Sequence, residues 1–367
     1  MKLFKIASLF NKLSLLFLCA LSVTATITVA QDDDCSPDAD YGFVCGLEHA
    51  EDLVLVPGTD WILSSGMSAG SSFYLINAGT KVAQVVSSTD AIAIDLDASR
   101  YSDCPGIPQW DNFISHGLNL RQGQGTESTL YVVTHGARES IEIFTIDSSP
   151  DVPALTWKGC VLMPDGLAAN SVASFSDGTL VATVLIHPDK TVTDAIAERP
   201  TGAVYTWGPG DSGFSLIMGT ELPANNGIEV SADESMIFVA SSGLRTVVAF
   251  PRGNPVTPLR STGRLGIIPD NVHLGPGGKM ITAGMNSFEP GCGGDYPPAE
   301  EFNLEEVAAC PRGSVAYTID PESMAVRVLA RAGVSSLFSN ATMALPVGDE
   351  IWFGTFSGDR VGYVKLQ

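Results

Sequence analysis

The chain is 367 residues long and carries 41 Asp and Glu against 20 Lys and Arg, a formal net charge of −21 at pH 7. A field of that sign repels phosphate backbones and anionic headgroups, which excludes nucleic acid and acidic membranes as natural partners and draws in divalent cations. The same charge also suits plain solubility in an extracellular medium.

Residues 1–30, MKLFKIASLFNKLSLLFLCALSVTATITVA, begin with Lys2, Lys5 and Lys12 and no acid, pass through an apolar run and end in small residues at Ala30. That is the pattern of a secretory signal peptide. The run from Leu15 to Leu21 falls short of the roughly 18 apolar residues a membrane helix needs, and no later segment approaches that length. A retained N-terminal anchor is the alternative. Residues 31–367 are expected to form one secreted domain, because no linker divides them.

Of seven cysteines, Cys19 falls in the signal peptide, which leaves Cys35, Cys45, Cys104, Cys160, Cys292 and Cys310. An even set with no C-x-x-C pair and no adjacent histidine cluster suits disulfides in an oxidising compartment rather than zinc. Cys292 with Cys310 is the favoured pair, since the two bracket one segment, and the other pairings stay open. Asn340-Ala341-Thr342 is a glycosylation sequon, compatible with secretion.

All 22 prolines and 37 glycines lie beyond residue 30, among many short β-rich runs. Helical character is weak and confined to Thr193 to Glu198 and Ala299 to Ala309. One pattern recurs: a polar residue, an alternating strand, a turn, then a second apolar strand ending in small residues. It opens at Glu51 (EDLVLVPGTDWILSSG), His116 (HGLNLRQGQGTESTLYVVTHG), Asn170 (NSVASFSDGTLVATV), Asn226 (NGIEVSADESMIFVASSG), Asp270 (DNVHLGPGGKMITAG) and Ala341 (ATMALPVGDEIWFGTF). The spacing is irregular, roughly 45 to 70 residues. Further strands such as GAVYTWGPG and TVVAFPRG bring each unit to about four strands. Six such units predict an all-β fold, a six-bladed β-propeller with four-stranded blades around a central channel. The last strand, VGYVKL at Val361 to Leu366, is expected to share a blade with an N-terminal strand and close the ring.

In a propeller the innermost strand of each blade lines the channel, so residues at the strand entrances converge. Those entrances carry Glu51 and Asp52, His116, Asn170, Asn226, Asp270 and Asn271, and Thr342. Glu51, Asn170, Asn226, Asp270 and Asn271 offer hard oxygen donors and two negative charges, which suits calcium. Singly, Asn226-Gly227 and Asp270-Asn271 read as turns and Glu51-Asp52 as a solvated acidic pair. Their recurrence at matching places favours the metal. His116 opens the second repeat and His135 closes its second strand, which places both on one rim; such a pair can activate and relay a proton, although two surface histidines would look the same. His49, His187 and His273 show no comparable placement. Gly66-Met67-Ser68-Ala69-Gly70 matches G-x-S-x-G, but a nucleophile elbow needs a helix next, and SSFYLINAG reads as strand.

Taken in order, GLEHAEDLVLVPGTDWILSSG, SHGLNL, VVTHGARESIEIF, NNGIEVSADESMIFVA and PDNVHLGPGG resemble the paraoxonase/arylesterase group of six-bladed propeller lactonases. The gluconolactonase and strictosidine-synthase-like propellers are more distantly similar. The resemblance runs from about Leu47 to the C-terminus. It implies that Glu51, Asn170, Asn226, Asp270 and Asn271 are ligands of a catalytic calcium, and His116 with His135 a histidine dyad. It further implies Asp52 and the Leu118 carbonyl as ligands of a second, structural calcium. There the chain departs, because the family's Asn-Asp pair stands here as Asn170-Ser171, so a weaker or absent second ion is expected. Met285 stands where some relatives carry histidine, which implies an altered pocket. The family's cysteine that ties the N-terminus to the far C-terminus has no partner in VGYVKLQ, so Cys35 and Cys45, if bridged, pair otherwise.

The function expected is hydrolysis of a small lactone or aryl ester by a monomer or weak homo-oligomer: calcium polarises the carbonyl while His116, assisted by His135, activates water. Two alternatives are a non-catalytic secreted propeller stapled by a structural calcium, and a serine hydrolase using Ser68.

Overall fold

A computed structural model describes residues 35–70, 73–86 and 91–366, so the expected signal peptide over 1–30 lies outside the described residues. The sheets are six twisted blades in chain order. Blade one holds Leu53–Leu55, Trp61–Ser65, Phe73–Asn77 and Val82–Val86. Blade two holds Phe113–Gln122, Glu127–Gly136, Ser140–Asp147 and Ala154–Leu162. Contrary to the uniform four-strand expectation, it gains a fifth strand, Ile92–Ile94, parallel to its outermost one. Blade three runs from Val172–Ser174, blade four from Asn225–Val230, blade five from Val272–Leu274 and blade six from Ala341–Val347.

The first strands of the blades touch in sequence, from Leu53–Leu55 through Phe113–Gln122, Val172–Ser174 and Asn225–Val230 to Val272–Leu274, and Ala341–Val347 returns to Leu53–Leu55. Burial follows radius. Second strands such as Leu180–Val184, Met236–Ser241 and Met280–Met285 are buried throughout, because a neighbouring blade covers each face. The outermost strand Val82–Val86 is largely exposed. One apolar cluster fills each of the six interfaces between adjacent blades.

The ring closes as expected. Arg360–Lys365 pairs on one side with Glu350–Thr355 and on the other with the N-terminal strand Gly42–Cys45, in the register Gly42 to Tyr363 and Val44 to Val361. No open edge remains at that junction. Disulfides join Cys35 to Cys45, Cys104 to Cys160, and Cys292 to Cys310, as suits an oxidising environment. The two helical stretches shrink to Val192–Ile196, begun by a Thr191/Asp194 capping box, and Leu304–Ala309. Among the described residues no helix is long and apolar enough to cross a membrane. Asn340 of the sequon is 3% exposed and its Nδ2 donates to Ala308 O and Ser357 Oγ, which leaves no room for a glycan on the folded chain.

Phe43 on the closing strand packs its ring 5.8 Å from Tyr41 and 6.3 Å from Phe338. Phe43→Ala is expected to cost about 3–5 kcal/mol, read as a lower urea midpoint. An unchanged midpoint would show that the ring holds without its N-terminal strand.

Candidate functional site at the channel mouth

Glu51-Asp52, Asn170-Ser171 and Asp270-Asn271 each immediately precede the innermost strand of their blade. In the other three blades the relevant residues lie inside the strand, at a break in pairing. Register shifts between Ser115 and Leu118, between Asn225 and Ile228, and between Ala341 and Met343 fall on His116-Gly117, Asn226-Gly227 and Thr342. A bulge of this kind releases a residue from the ladder and re-aims its side chain. His116 therefore does not open its strand, which begins at Phe113, and Asn226-Gly227 is not a turn.

Glycine makes the approach possible. A Cβ on Gly227 would lie 2.4 Å from Val272 N and 2.6 Å from Asp270 O; one on Gly117 would lie 2.6 Å from Asn170 O. Hydroxyls then pin the ligand backbones from neighbouring strands: Thr183 donates to Asn226 O, Thr342 to Glu51 O, Thr282 to Asn271 O, and Ser242 to Pro269 O.

The electrostatics single out the same residues. Glu51, Asn170, Asn226 and Asn271 are buried. Glu51 Oε2, Asn170 Oδ1 and Asn226 Oδ1 have no hydrogen-bond partner among the described residues. An orphaned acceptor costs about 1–3 kcal/mol, so each of these oxygens calls for a donor or a cation. Asn271 Nδ2 donates to Glu51 Oε1 at 2.7 Å, which ties two of the five together. Burial, then the charges of Asp52 and Asp270, holds the Glu51 carboxyl well above the usual range. Burial also pushes Asp270 up to about 7. Uncompensated buried carboxylates and orphan amide oxygens fit an oxygen-seeking divalent cation such as calcium. Among the described residues no three His, Cys, Asp or Glu converge to hold an ion by themselves, so any ion here would also need the amide oxygens.

His116 and His135 are brought together, with Nδ1 of the first 3.0 Å from Nε2 of the second. His135 Nδ1 lies 2.6 Å from Glu139 Oε2. A carboxylate only accepts, so His135 Nδ1 carries the hydrogen and its Nε2 accepts from His116 Nδ1. That leaves the His116 Nε2 lone pair facing Glu51 Oε2 at 3.8 Å. Burial, with His135 beside it, depresses His116 to about 3, so the ring is neutral. Sequence reasoning missed Glu139; the signal was its place four residues beyond His135, across the tight Gly136 turn.

The second-ion residues are engaged otherwise. Asp52 Oδ1 accepts from Leu53 N and from His273 Nε2 at 2.7 Å, while Oδ2 accepts from Leu118 N at 2.7 Å. Leu118 thus presents its amide, not its carbonyl, to Asp52, and the Ser171 hydroxyl accepts from Ile228 N. Asp52, an expected ligand of a second ion, thus has three of its roughly four acceptor sites already taken. The imidazole among its partners is His273, dismissed on sequence, which lies mostly buried on the innermost strand of blade five. Burial would lower its pKa, but the adjacent Asp52 and Glu229 charges raise it.

Ser68 Oγ lies 3.3 Å from His49 Nδ1, yet that nitrogen is also 3.2 Å from the Met67 carbonyl oxygen. Only an N–H satisfies a carbonyl, so Nδ1 cannot also accept the Ser68 proton. A strand, Phe73–Asn77, follows instead of a helix.

No family model matches the chain, and no curated protein sequence matches it. Solved structures do. A luciferin-regenerating enzyme superposes with a TM-score of 0.51 at 12% identity, over 88% of this chain and 95% of its own. A gluconolactonase from Xanthomonas campestris does so with a TM-score of 0.50 at 14% identity, over 91% of this chain and 96% of its own. At such identities the likeness establishes a shared propeller fold.

Titration calorimetry is expected to find one tightly bound calcium per chain; two equivalent tight ions would contradict the occupation of Asp52 by His273 and Leu118. Gly227→Ala, which forces the Asn226 and Asp270 strands apart, is expected to weaken that binding by about 1–3 kcal/mol.

Proposed function

We propose that the chain is a secreted, calcium-dependent hydrolase of lactones or aryl esters of the paraoxonase/arylesterase kind. One observation supports the reading above others: Glu51 Oε2, Asn170 Oδ1 and Asn226 Oδ1, at the inner strands of three blades, lack hydrogen-bond partners among the described residues, and the His116 Nε2 lone pair lies 3.8 Å from Glu51 Oε2. Glu51, Asn170, Asn226, Asp270 and Asn271 would hold the ion, which supplies polarisation of the substrate carbonyl and stabilisation of the oxyanion. His116 Nε2 takes the proton from the attacking water. His116 Nδ1 keeps its hydrogen bond to His135, and Glu139 fixes the His135 tautomer, so the positive charge formed on His116 is shared along the pair. A purely structural ion would have no use for this relay. Support from the fold is general: lactonases occur among propellers of this shape.

Chelation is expected to abolish hydrolysis of a lactone panel, and readdition of calcium to restore it. His116→Gln should lower kcat about a hundredfold or more with calcium still bound, and Glu139→Gln about tenfold. Ser68→Ala should leave the rate unchanged. Activity indifferent to chelation would sink the proposal.

The pH dependence follows from the ligands. Glu51 and Asp270 are raised in the ion-free protein, and only their ionised forms bind. Calcium binding therefore expels protons, and affinity is gained as pH rises through about 7 and lost below it. Calorimetry in buffers of different ionisation enthalpy should register that proton release; its absence would show the carboxylates already ionised.

A further inference from the structure

Between the second and third strands of blade five, after Met285 and before Ser314, the chain makes an excursion clamped by Cys292–Cys310. Its walls form a cavity of about 620 Å³ that shares no residue with the candidate ion ligands or the histidine relay. Both signs of charge meet there. Arg312, only 2% exposed, forms the floor. Asp295, Glu301 and Glu306, all exposed, stand at the rim. Pro297, Pro298 and Val307 supply apolar wall.

The guanidinium of Arg312 is only half satisfied by the chain. Its Nη1 donates to Asn286 O, Ser287 O and Gly294 O, which fixes the base of the excursion. The Tyr296 ring covers one face, with its centre 4.3 Å away. Carbonyls and a ring soften a charge without neutralising it, and among the described residues no carboxylate is ion-paired with Arg312. The acids around the same cavity turn elsewhere: Asp295 lies 3.7 Å from Arg245, and Glu306 accepts from Asn303 Nδ2. Arg312 Nε is enclosed without a partner. Nη2 makes no hydrogen bond among the described residues and is the donor left for an outside anion. A buried cation is costly unless an anion stands beside it, so the floor of this cavity calls for one.

We propose that this cavity is a second binding site, and that its ligand is a small zwitterion, an amino acid with an apolar side chain. The ligand carboxylate pairs with Arg312 at the floor, and its ammonium meets the Glu301 and Glu306 carboxylates at the rim. The side chain packs on Pro297, Pro298 and Val307. A plain carboxylate would answer Arg312 but sit among three acids, and a plain amine would answer the acids but leave the buried guanidinium without an anion. Only a ligand that carries both charges suits both ends. Such binding is independent of any hydrolysis at the channel mouth.

The test is calorimetry on the full secreted chain, in the presence of calcium, with three probes that share one body: L-leucine, 4-methylpentanoate, which lacks the ammonium, and isoamylamine, which lacks the carboxylate. Leucine is expected to bind once per chain and about tenfold or more tightly than either analogue, the worth of one charge-assisted contact. Glu301→Gln with Glu306→Gln, both at exposed positions, should weaken leucine about tenfold and leave 4-methylpentanoate no weaker than before. Arg312→Met should abolish leucine binding; should that variant fail to fold, the two glutamine substitutions decide. Either analogue binding as tightly as leucine would overturn the zwitterion site. So would wild type that takes up no leucine, or glutamine substitutions that leave its affinity unchanged.

Discussion

Six innermost strands converge on one axis, and whatever they carry at that point is taken out of water. An ionised carboxylate in such a place is costly unless it is paired. Glu51, Asp52 and Asp270 are all there, and each raises or would raise the energy of the next. The protein resolves the conflict in two ways. Asp52 is balanced internally, by two backbone amides and by His273. Glu51 and Asp270 receive only amide hydrogen bonds, from Asn271 and Asn226, with no cationic partner beside them, and Glu51 Oε2, Asn170 Oδ1 and Asn226 Oδ1 stand without donors among the described residues. The asymmetry is chemical: Asp52 has three of its roughly four acceptor sites taken by the chain itself, whereas Glu51 and Asp270 are left with less compensation, which is why the proposed ion is assigned to them.

Holding the oxygens in position depends on irregularities, not on regular pairing. A regular strand would direct alternate residues up and down the sheet and leave their oxygens bound into the ladder. The breaks at His116-Gly117, Asn226-Gly227 and Thr342 free three of the six strands from that rule. The missing Cβ at Gly117 and Gly227 brings adjacent blades within backbone contact, and the Thr and Ser hydroxyls fasten the displaced carbonyls. Each device is local, yet each sets the backbone at or beside one of the proposed ligands before its side chain is considered.

The repeat was legible because each blade restates the same burial demand. Second strands such as MIFVAS and MITAGM must face a neighbour on both sides, and they read as runs of apolar and small residues without a charge. The oxygen-bearing residues were legible for the same reason, as interruptions at a fixed point in that repeat. What could not be read was pairing across the channel. His273 and Asp52 are remote in sequence, and nothing local to PDNVHLGP says that an imidazole there will meet an acid from another blade. Likewise Glu139 is a solvent-like residue in GARES until the Gly136 turn folds it back onto His135. The bulges were hidden too, because one unpaired residue leaves no periodic trace longer than itself.

The relay also bears on where a proton would go after it is taken. His116 lies inside, neutral and held far below the usual imidazole range by burial. A base of that kind does not keep a proton for long, which helps turnover only if the proton has an outlet. His135 Nε2 accepts from His116, His135 Nδ1 reaches Glu139, and the Glu139 side chain is 38% exposed. The chain of groups thus runs from the buried mouth to solvent in two hydrogen bonds. Under the proposed reaction, a low proton affinity at the inner end and a solvated carboxylate at the outer end would set the direction of transfer, so the burial that keeps His116 neutral would also return it to that state.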